Sequence, residues 1–471
     1  MNDVLARLRE LRSGDLPTHG GRTLAYVYDS GLSEVDEIAA AAHALASSAN
    51  GLDPTAFPSL LRMENDLVAR AAGLLGGTPD TVGAVTSGGT ESCLLAVLAA
   101  RDSRPDIEAP SIVLPETAHA AFHKAAHLFG VRKVVVPVDP ETFRADPAAV
   151  AEAIDDSTVL VVASAPSYAH GVVDPIPEIA AAASARGVRM HVDACIGGWV
   201  LPYFAKLGAD LPPFDFRVPG VTSISVDLHK YAYCAKGVSV LLHASAELRR
   251  THFFASAAWP GYTMLNPTLQ STRSGGPLAA AWAVVHHLGE DGYLKLASRT
   301  REAVDRIRAG VASIPGLRVL GDPVSTLVAF TGSDGFDLFT VADEMKARGW
   351  YVQPQFAHGT SPLNLHLTVT AANHGSEPEF LADLTASVEA ARADGPVRVD
   401  PDVAAFVAAL DPGTLTSEQF GGLLAAAGLT GAAGLPERMA PVNALLAVAP
   451  EPLRERLLVE FLGALYTPSR D

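Results

Sequence analysis

Short unbroken apolar runs alternate with stretches of helical period through the middle of this chain. SIVLP, KVVVPV, TVLVVASA, RMHVDA and SISVDL read as strands, being apolar at consecutive positions and rich in β-branched residues. Between them, MENDLVARAAGLL and PEIAAAASARG repeat apolar positions at helical spacing. Strands that are apolar at every position are buried on both faces, so the alternation predicts a mainly parallel sheet flanked by helices. That large α/β domain is assigned to residues 61–295. Residues 1–60 read as a helical and extended N-terminal arm, helical at MNDVLARLRELRSGD and containing AYVYDSG and NGLDPTAFPSLLRME. Residues 296–395 read as a small α+β domain, entered by the long helix YLKLASRTREAVDRIRAGVASI and carrying the strands VSTLVAF, YVQPQ and NLHLTVT. Residues 396–471 are expected to be a helical extension. Its Gly-rich middle is expected to be loosely ordered, and it closes on the amphipathic PEPLRERLLVEFLGALY.

Composition narrows the class. At 471 residues, with 48% hydrophobic and 18% charged positions, the chain can fill two domains. A formal charge of −17 argues against a nucleic-acid surface, which needs a basic excess, but leaves room for a local cationic pocket. Cys93, Cys195 and Cys234 make no CxxC pair and no Cys/His cluster, so neither disulfides nor zinc are expected. His119, His123 and His127 lack a carboxylate at any recognised spacing, and no metal is expected there either. The N-terminus is charged and amphipathic rather than a signal peptide. No apolar run reaches the roughly 18 residues that span a bilayer. The expectation is a cytoplasmic protein without an integral membrane segment.

Four motifs carry candidate chemistry. TSGGTES (86–92) lies between an apolar pair and a helical run, where glycines let an anion approach the backbone and a helix N-terminus attracts it. Such a turn also serves as a plain helix start. His119 sits between the strand SIVLP and a helix, where a lone histidine is usually a cap. Asp193 ends the strand RMHVDA, at the sheet edge where open α/β folds bind ligands. Lys230 follows SISVDL, and a lysine held in a desolvated site can form a Schiff base with an aldehyde cofactor. Read together, a phosphate turn, a ring-stacking imidazole, a carboxylate for a basic nitrogen and an amine for an aldehyde describe pyridoxal phosphate (PLP).

TSGGTES, AHAAFHKAA, SAPSYAHGVVDP, HVDACIGG, FDFRVPGVTSISVDLHKYAYCAKG and NPTLQSTRSGG occur in the order found in the sphingosine-1-phosphate lyase family. These are fold-type I PLP enzymes close to the group II amino-acid decarboxylases. The resemblance runs from about Tyr26 to the end of the small domain. It implies that Lys230 holds PLP, Asp193 pairs with its ring nitrogen, and His119 and Cys195 lie against the two ring faces. Gly89, Thr90 and His229 resemble the phosphate ligands. Thr272 resembles a hydroxyl supplied by a neighbouring subunit, which implies a homodimer with shared active sites. Tyr28 and Lys236 match residues that hold a substrate phosphate in the lyases.

Two positions depart from the lyase pattern. Asp53, in NGLDP, stands where the family has a phosphate-facing histidine, and Met264 stands where a tyrosine is common. The resemblance implies retro-aldol cleavage of a phosphorylated amino alcohol to an aldehyde and a small amine such as phosphoethanolamine. The alternative is an amino-acid decarboxylase, since Asp53 would suit a cationic group where the lyases bind phosphate. A PLP-binding scaffold without activity would call for loss of Lys230 or Asp193, and both are present.

Overall fold

Seven strands build the main sheet of the protein, a computed structural model that describes residues 2–333, 335–426, 436–466 and 468. They are β1 (Val82–Thr86), β2 (Ser111–Pro115), β3 (Arg132–Val136), β4 (Thr158–Ser164), β5 (Arg189–Asp193), β6 (Ser223–Val226) and β7 (Ser239–His243), in the order β1-β7-β6-β5-β4-β2-β3. β7 runs antiparallel to both neighbours, and the pairs from β6 through β3 are parallel. β2, β4, β6 and β7 are buried at every position, β2 and β4 with long apolar runs and β6 and β7 with Ser223, Ser225, Ser239 and His243 buried among the apolar residues. β3 lies at the edge and turns Arg132 and Lys133 to solvent, which blunts an otherwise open ladder.

The crossover helices follow from their termini as well as their apolar faces. Asp146 and Ser274 accept backbone N–H bonds at two helix starts. At another, His119 accepts one from Ala121 at 3.1 Å. A short hairpin, β8 (Phe254–Ser256) with β9 (Met264–Asn266), follows the main sheet.

The helix Gly275–Ser313 joins the two domains. It begins well before the YLKLAS stretch and bends at Gly289, where φ is +56°, a value glycine tolerates best. Ala281, Val284, Tyr293 and Ala297 pack into the large-domain core, whereas Ala303, Ile307 and Val311 pack into the second. The change of core therefore falls inside the helical segment that follows the break at Gly289. The smaller sheet is antiparallel: β10 (Leu317–Val319), β11 (Leu327–Gly332), β12 (Gln353–Gln355) and β13 (Asn364–Thr368), ordered β10-β11-β13-β12.

Four further helices, Pro401–Ala409, Ser417–Ala426, Ala440–Val448 and Glu451–Leu465, enclose a small core of Val407, Leu415, Phe420, Ala449 and Leu453. Asp343 ties them to the small domain, its carboxylate accepting from Met439 N and Ala440 N at 2.9 and 2.8 Å. Most of the Gly-rich stretch, 427–435, lies outside the described residues. Among the described residues no helix is long and apolar enough to cross a membrane.

Candidate active site

The carboxyl ends of β1, β2, β4, β5 and β6 share one edge of the main sheet, the edge at which open α/β folds place their ligands. A cavity of about 420 Å³ opens there, lined in part by Gly89, Thr90, His119, Asp193, Cys195, His229, Lys230 and Lys236. These eight candidates come from five separate segments, and the fold gathers them in one place.

Lys230 lies in the turn after β6, its backbone N–H donating to Asp227 O at 3.2 Å. Its Nζ is 3.1 Å from Asp227 Oδ2. Burial, the largest single influence, opposes the charged amine, but Asp227, Tyr28, Cys195 and Asp193 together outweigh it and hold the Lys230 pKa well above the ordinary lysine value. His229, which lines the cavity, donates Nδ1–H to Val238 O at 2.8 Å, and its Nε2 lies 3.7 Å from Asp227 Oδ2. Burial pushes its pKa down, against the pull of Asp227.

Asp193 ends β5 and is only 8% exposed. Its Oδ1 accepts from Cys195 N at 3.1 Å and from Ser225 Oγ at 3.4 Å, and His191 Nε2 lies 3.1 Å from the same hydroxyl. Among the described residues Oδ2 has no hydrogen-bond partner. Cys93, Asp193 and Cys195 bring two sulfurs and a carboxylate within 4.8 Å of one another. The hydrogen bond to Cys93, then burial, push the Cys195 thiol well up, which suits a protonated packing sulfur better than a metal thiolate.

The opposite wall carries His119 and Tyr168, edge to face at 6.4 Å between ring centroids. Tyr168 stacks on His366 and donates to Gln353 Oε1 at 2.7 Å. Lys236 Nζ donates to Tyr26 O at 2.9 Å and lies 4.7 Å from the centre of the Tyr28 ring. Tyr26 adopts φ +63°, uncommon for a side-chain-bearing residue. Burial, then the Lys230 charge, push the Lys236 pKa down to about 8, although much of the side chain is exposed.

Three candidates lie elsewhere. Tyr28 is edge-on to Tyr231 behind Lys236 and does not line the cavity. Asp53 lines a larger neighbouring cavity of about 990 Å³, which shares Ser87 and Gly237 with the first. Its Oδ1 accepts from Thr55 Oγ1 at 2.6 Å and Thr55 N at 2.8 Å, and these bonds hold its pKa down. Thr272 is exposed and lines neither cavity. Asp227 and Tyr168 are among the lining residues that the sequence motifs contain but spacing did not single out. Asp227 is three residues before Lys230 in the same motif.

PLP fits these residues on three structural grounds. A Cβ on Gly89 would come within 2.7 Å of Asp227 Oδ2 and 2.8 Å of Cys195 Sγ, so only bare backbone lines the cavity at the start of the helix Gly89–Asp102. That helix has no side-chain cap, so its first N–H groups are available to an anion. An amine and an unpartnered carboxylate oxygen face the same space.

Comparison with known proteins supports the same class. Residues 26–332 match the pyridoxal-dependent decarboxylase conserved domain, and residues 401–464 match a C-terminal putative HTH domain of pyridoxal-dependent enzymes. Sphingosine-1-phosphate lyase of Dictyostelium discoideum is 42% identical over 74% of this chain, which spans 65% of that protein's length. Sphingosine-1-phosphate lyase 1 of Rattus norvegicus is 39% identical over 82% of this chain and 68% of its own length. The solved Burkholderia pseudomallei K96243 sphingosine-1-phosphate lyase superposes with a TM-score of 0.79 at 40% identity, over 83% of this chain and 91% of that one. Glutamate decarboxylase of Lactobacillus brevis shares the fold at 20% identity, with a TM-score of 0.73.

Proposed function

The chain belongs to the sphingosine-1-phosphate lyase family of PLP-dependent enzymes, and on that premise we propose that it cleaves a phosphorylated amino alcohol into an aldehyde and a small phosphorylated amine. The observation that carries this reading is Lys236. In a protein of net charge −17, it places a second ammonium at the wall of the Lys230 cavity, where an anionic group of the substrate can be held.

Bound PLP supplies an electron sink for the bond that breaks beside the substrate nitrogen. The chain's own residues do the rest. Lys230 holds the cofactor covalently, and the Asp193 Oδ2 facing the cavity keeps its ring nitrogen protonated. His119 stacks on one ring face and Cys195 closes the other. The first turn of the helix Gly89–Asp102, with Thr90 and His229, takes the cofactor phosphate. Lys236, with Tyr28 behind it, fixes the substrate's anionic end, and so decides which bond is aligned for cleavage. The exposed Thr272 suits contact with a second copy, and we read the protein as a homodimer with shared active sites. Its three buried free cysteines agree with a reducing, cytoplasmic setting.

Incubation of the holoenzyme with sphinganine phosphate is expected to release a long-chain aldehyde, and a panel of amino acids is expected to release no CO₂. The reverse result would make the protein a decarboxylase. Lys236→Met is expected to raise KM for the phosphorylated substrate by about 10–100-fold with kcat little changed, the scale of one lost charged hydrogen bond. In the wild type, binding should weaken as pH rises through about 8, because the Lys236 ammonium is lost there. The variant's KM should be flat over that range. A KM–pH profile that is the same in both would remove Lys236 from substrate binding.

A further inference from the structure

We propose that Asp227 is a positioning residue for cofactor capture: it keeps the free Lys230 amine protonated and aimed into the cavity, and so sets the pH at which that amine can react with an aldehyde. This rests on Lys230 being the residue that holds PLP.

The geometry supports the role. Asp227 follows β6 directly and is 2% exposed, with Oδ2 3.1 Å from Lys230 Nζ. Gly89 presses on the carboxylate, since a Cβ there would stand 2.7 and 2.8 Å from its two oxygens. The other oxygen, Oδ1, is buried without a hydrogen-bond partner among the described residues. An aspartate kept for structure would spend both oxygens on backbone N–H groups, as Asp174 does with Ala145 N and Ser164 N. Asp227 instead faces the amine.

The other groups around the pair do not replace it. His229 lies 3.7 Å from Asp227 Oδ2, with Nδ1 committed to Val238 O. Asp193 and Cys195 follow β5, and Cys93 comes from the helix Gly89–Asp102. Tyr28 approaches from the N-terminal arm and Lys236 from the loop after Lys230. Ser239 on β7 donates to Val226 O. Asp193 is the second carboxylate of this group, and its Oδ1 is taken by Cys195 N and Ser225 Oγ.

An amine attacks a carbonyl carbon only when neutral, so Lys230 must first give one proton to water. The carbon–nitrogen bond then forms as the aldehyde oxygen leaves in a molecule of water. A carboxylate in contact with the ammonium opposes the first step, and one neighbouring opposite charge is worth about 1–3 pH units.

The test uses apoenzyme titrated with PLP. In Asp227→Asn, the pH midpoint of the capture rate, followed by visible absorbance, is expected to fall by about 1–2 units. Affinity for pyridoxine 5′-phosphate, which has no aldehyde, should not change. An unchanged or higher midpoint, or a changed affinity for the alcohol analogue, would overturn the proposal. If the variant does not fold, Asp227→Ser, uncharged and smaller, is measured the same way. Borohydride reduction and peptide mapping of wild-type holoenzyme test the underlying reading separately. A label on a residue other than Lys230 removes the premise, whereas a label on Lys230 with an unmoved midpoint removes only the role given to Asp227.

Discussion

Replacing Lys230 by alanine is expected to cut turnover by about a thousandfold or more, the scale on which deleting a covalent catalyst acts. The visible absorbance of bound PLP should vanish with it. The same change strands the Asp227 carboxylate, buried beside Gly89 with the Lys230 ammonium that faced it gone. Breaking a buried ion pair from one side costs roughly 3–5 kcal/mol, and less here because water reaches the Lys230 side chain, which is 17% exposed. A lower Tm should therefore accompany the lost activity. The double variant Lys230→Ala, Asp227→Asn separates the two effects: Tm should recover toward wild type while turnover does not. Retention of the PLP absorbance in Lys230→Ala would mean that another residue holds the cofactor.

Much of the fold is legible in the sequence because burial on both faces leaves an unmistakable trace. The runs that become β2 and β4 are almost wholly apolar because helices cover both sides of each strand, while β5 and β6 mix apolar residues with buried His191, Ser223 and Ser225. The cofactor class is legible for a related reason, since Lys230, Asp193 and the Gly88–Gly89 turn follow strand ends that the fold brings to one edge. The hairpin β8–β9 is not legible, because its short strands leave Phe254 and Leu265 exposed and carry no two-faced burial signal. The start of the long helix at Gly275 is hidden by its own Gly-Gly-Pro opening, which reads as a turn until Ser274 caps it.

Asp227 is the more instructive case. An aspartate after a strand reads as a helix or turn cap, and only three dimensions show that its partner is the lysine three residues on. Asp53 is a different case. Its position in the motif suggests a substrate contact, and the structure adds that Thr55, two residues away, binds one of its oxygens, Oδ1, through both a hydroxyl and an N–H, so a local turn sets how the carboxylate is presented.

Asp193→Asn is expected to lower kcat by about 10²–10³-fold with KM nearly unchanged, the scale of removing one aimed electrostatic group. The substitution is nearly isosteric, so the amide oxygen can still accept from Cys195 N and Ser225 Oγ, and the orientation set by the β5 end and by His191 behind Ser225 is preserved. What changes is the atom facing the cavity. Oδ2, which has no hydrogen-bond partner among the described residues, becomes an NH₂ that donates instead of accepting. On the roles proposed above, a ring nitrogen opposite it could no longer be held protonated, so the electron sink would weaken, while Lys230, Gly89 and Thr90 would still be there to hold the cofactor. PLP should therefore still bind, with its visible absorbance retained and turnover depressed. Loss of cofactor from Asp193→Asn would mean that the carboxylate serves affinity more than reactivity. Wild-type kcat would mean that it does not face the ring nitrogen at all.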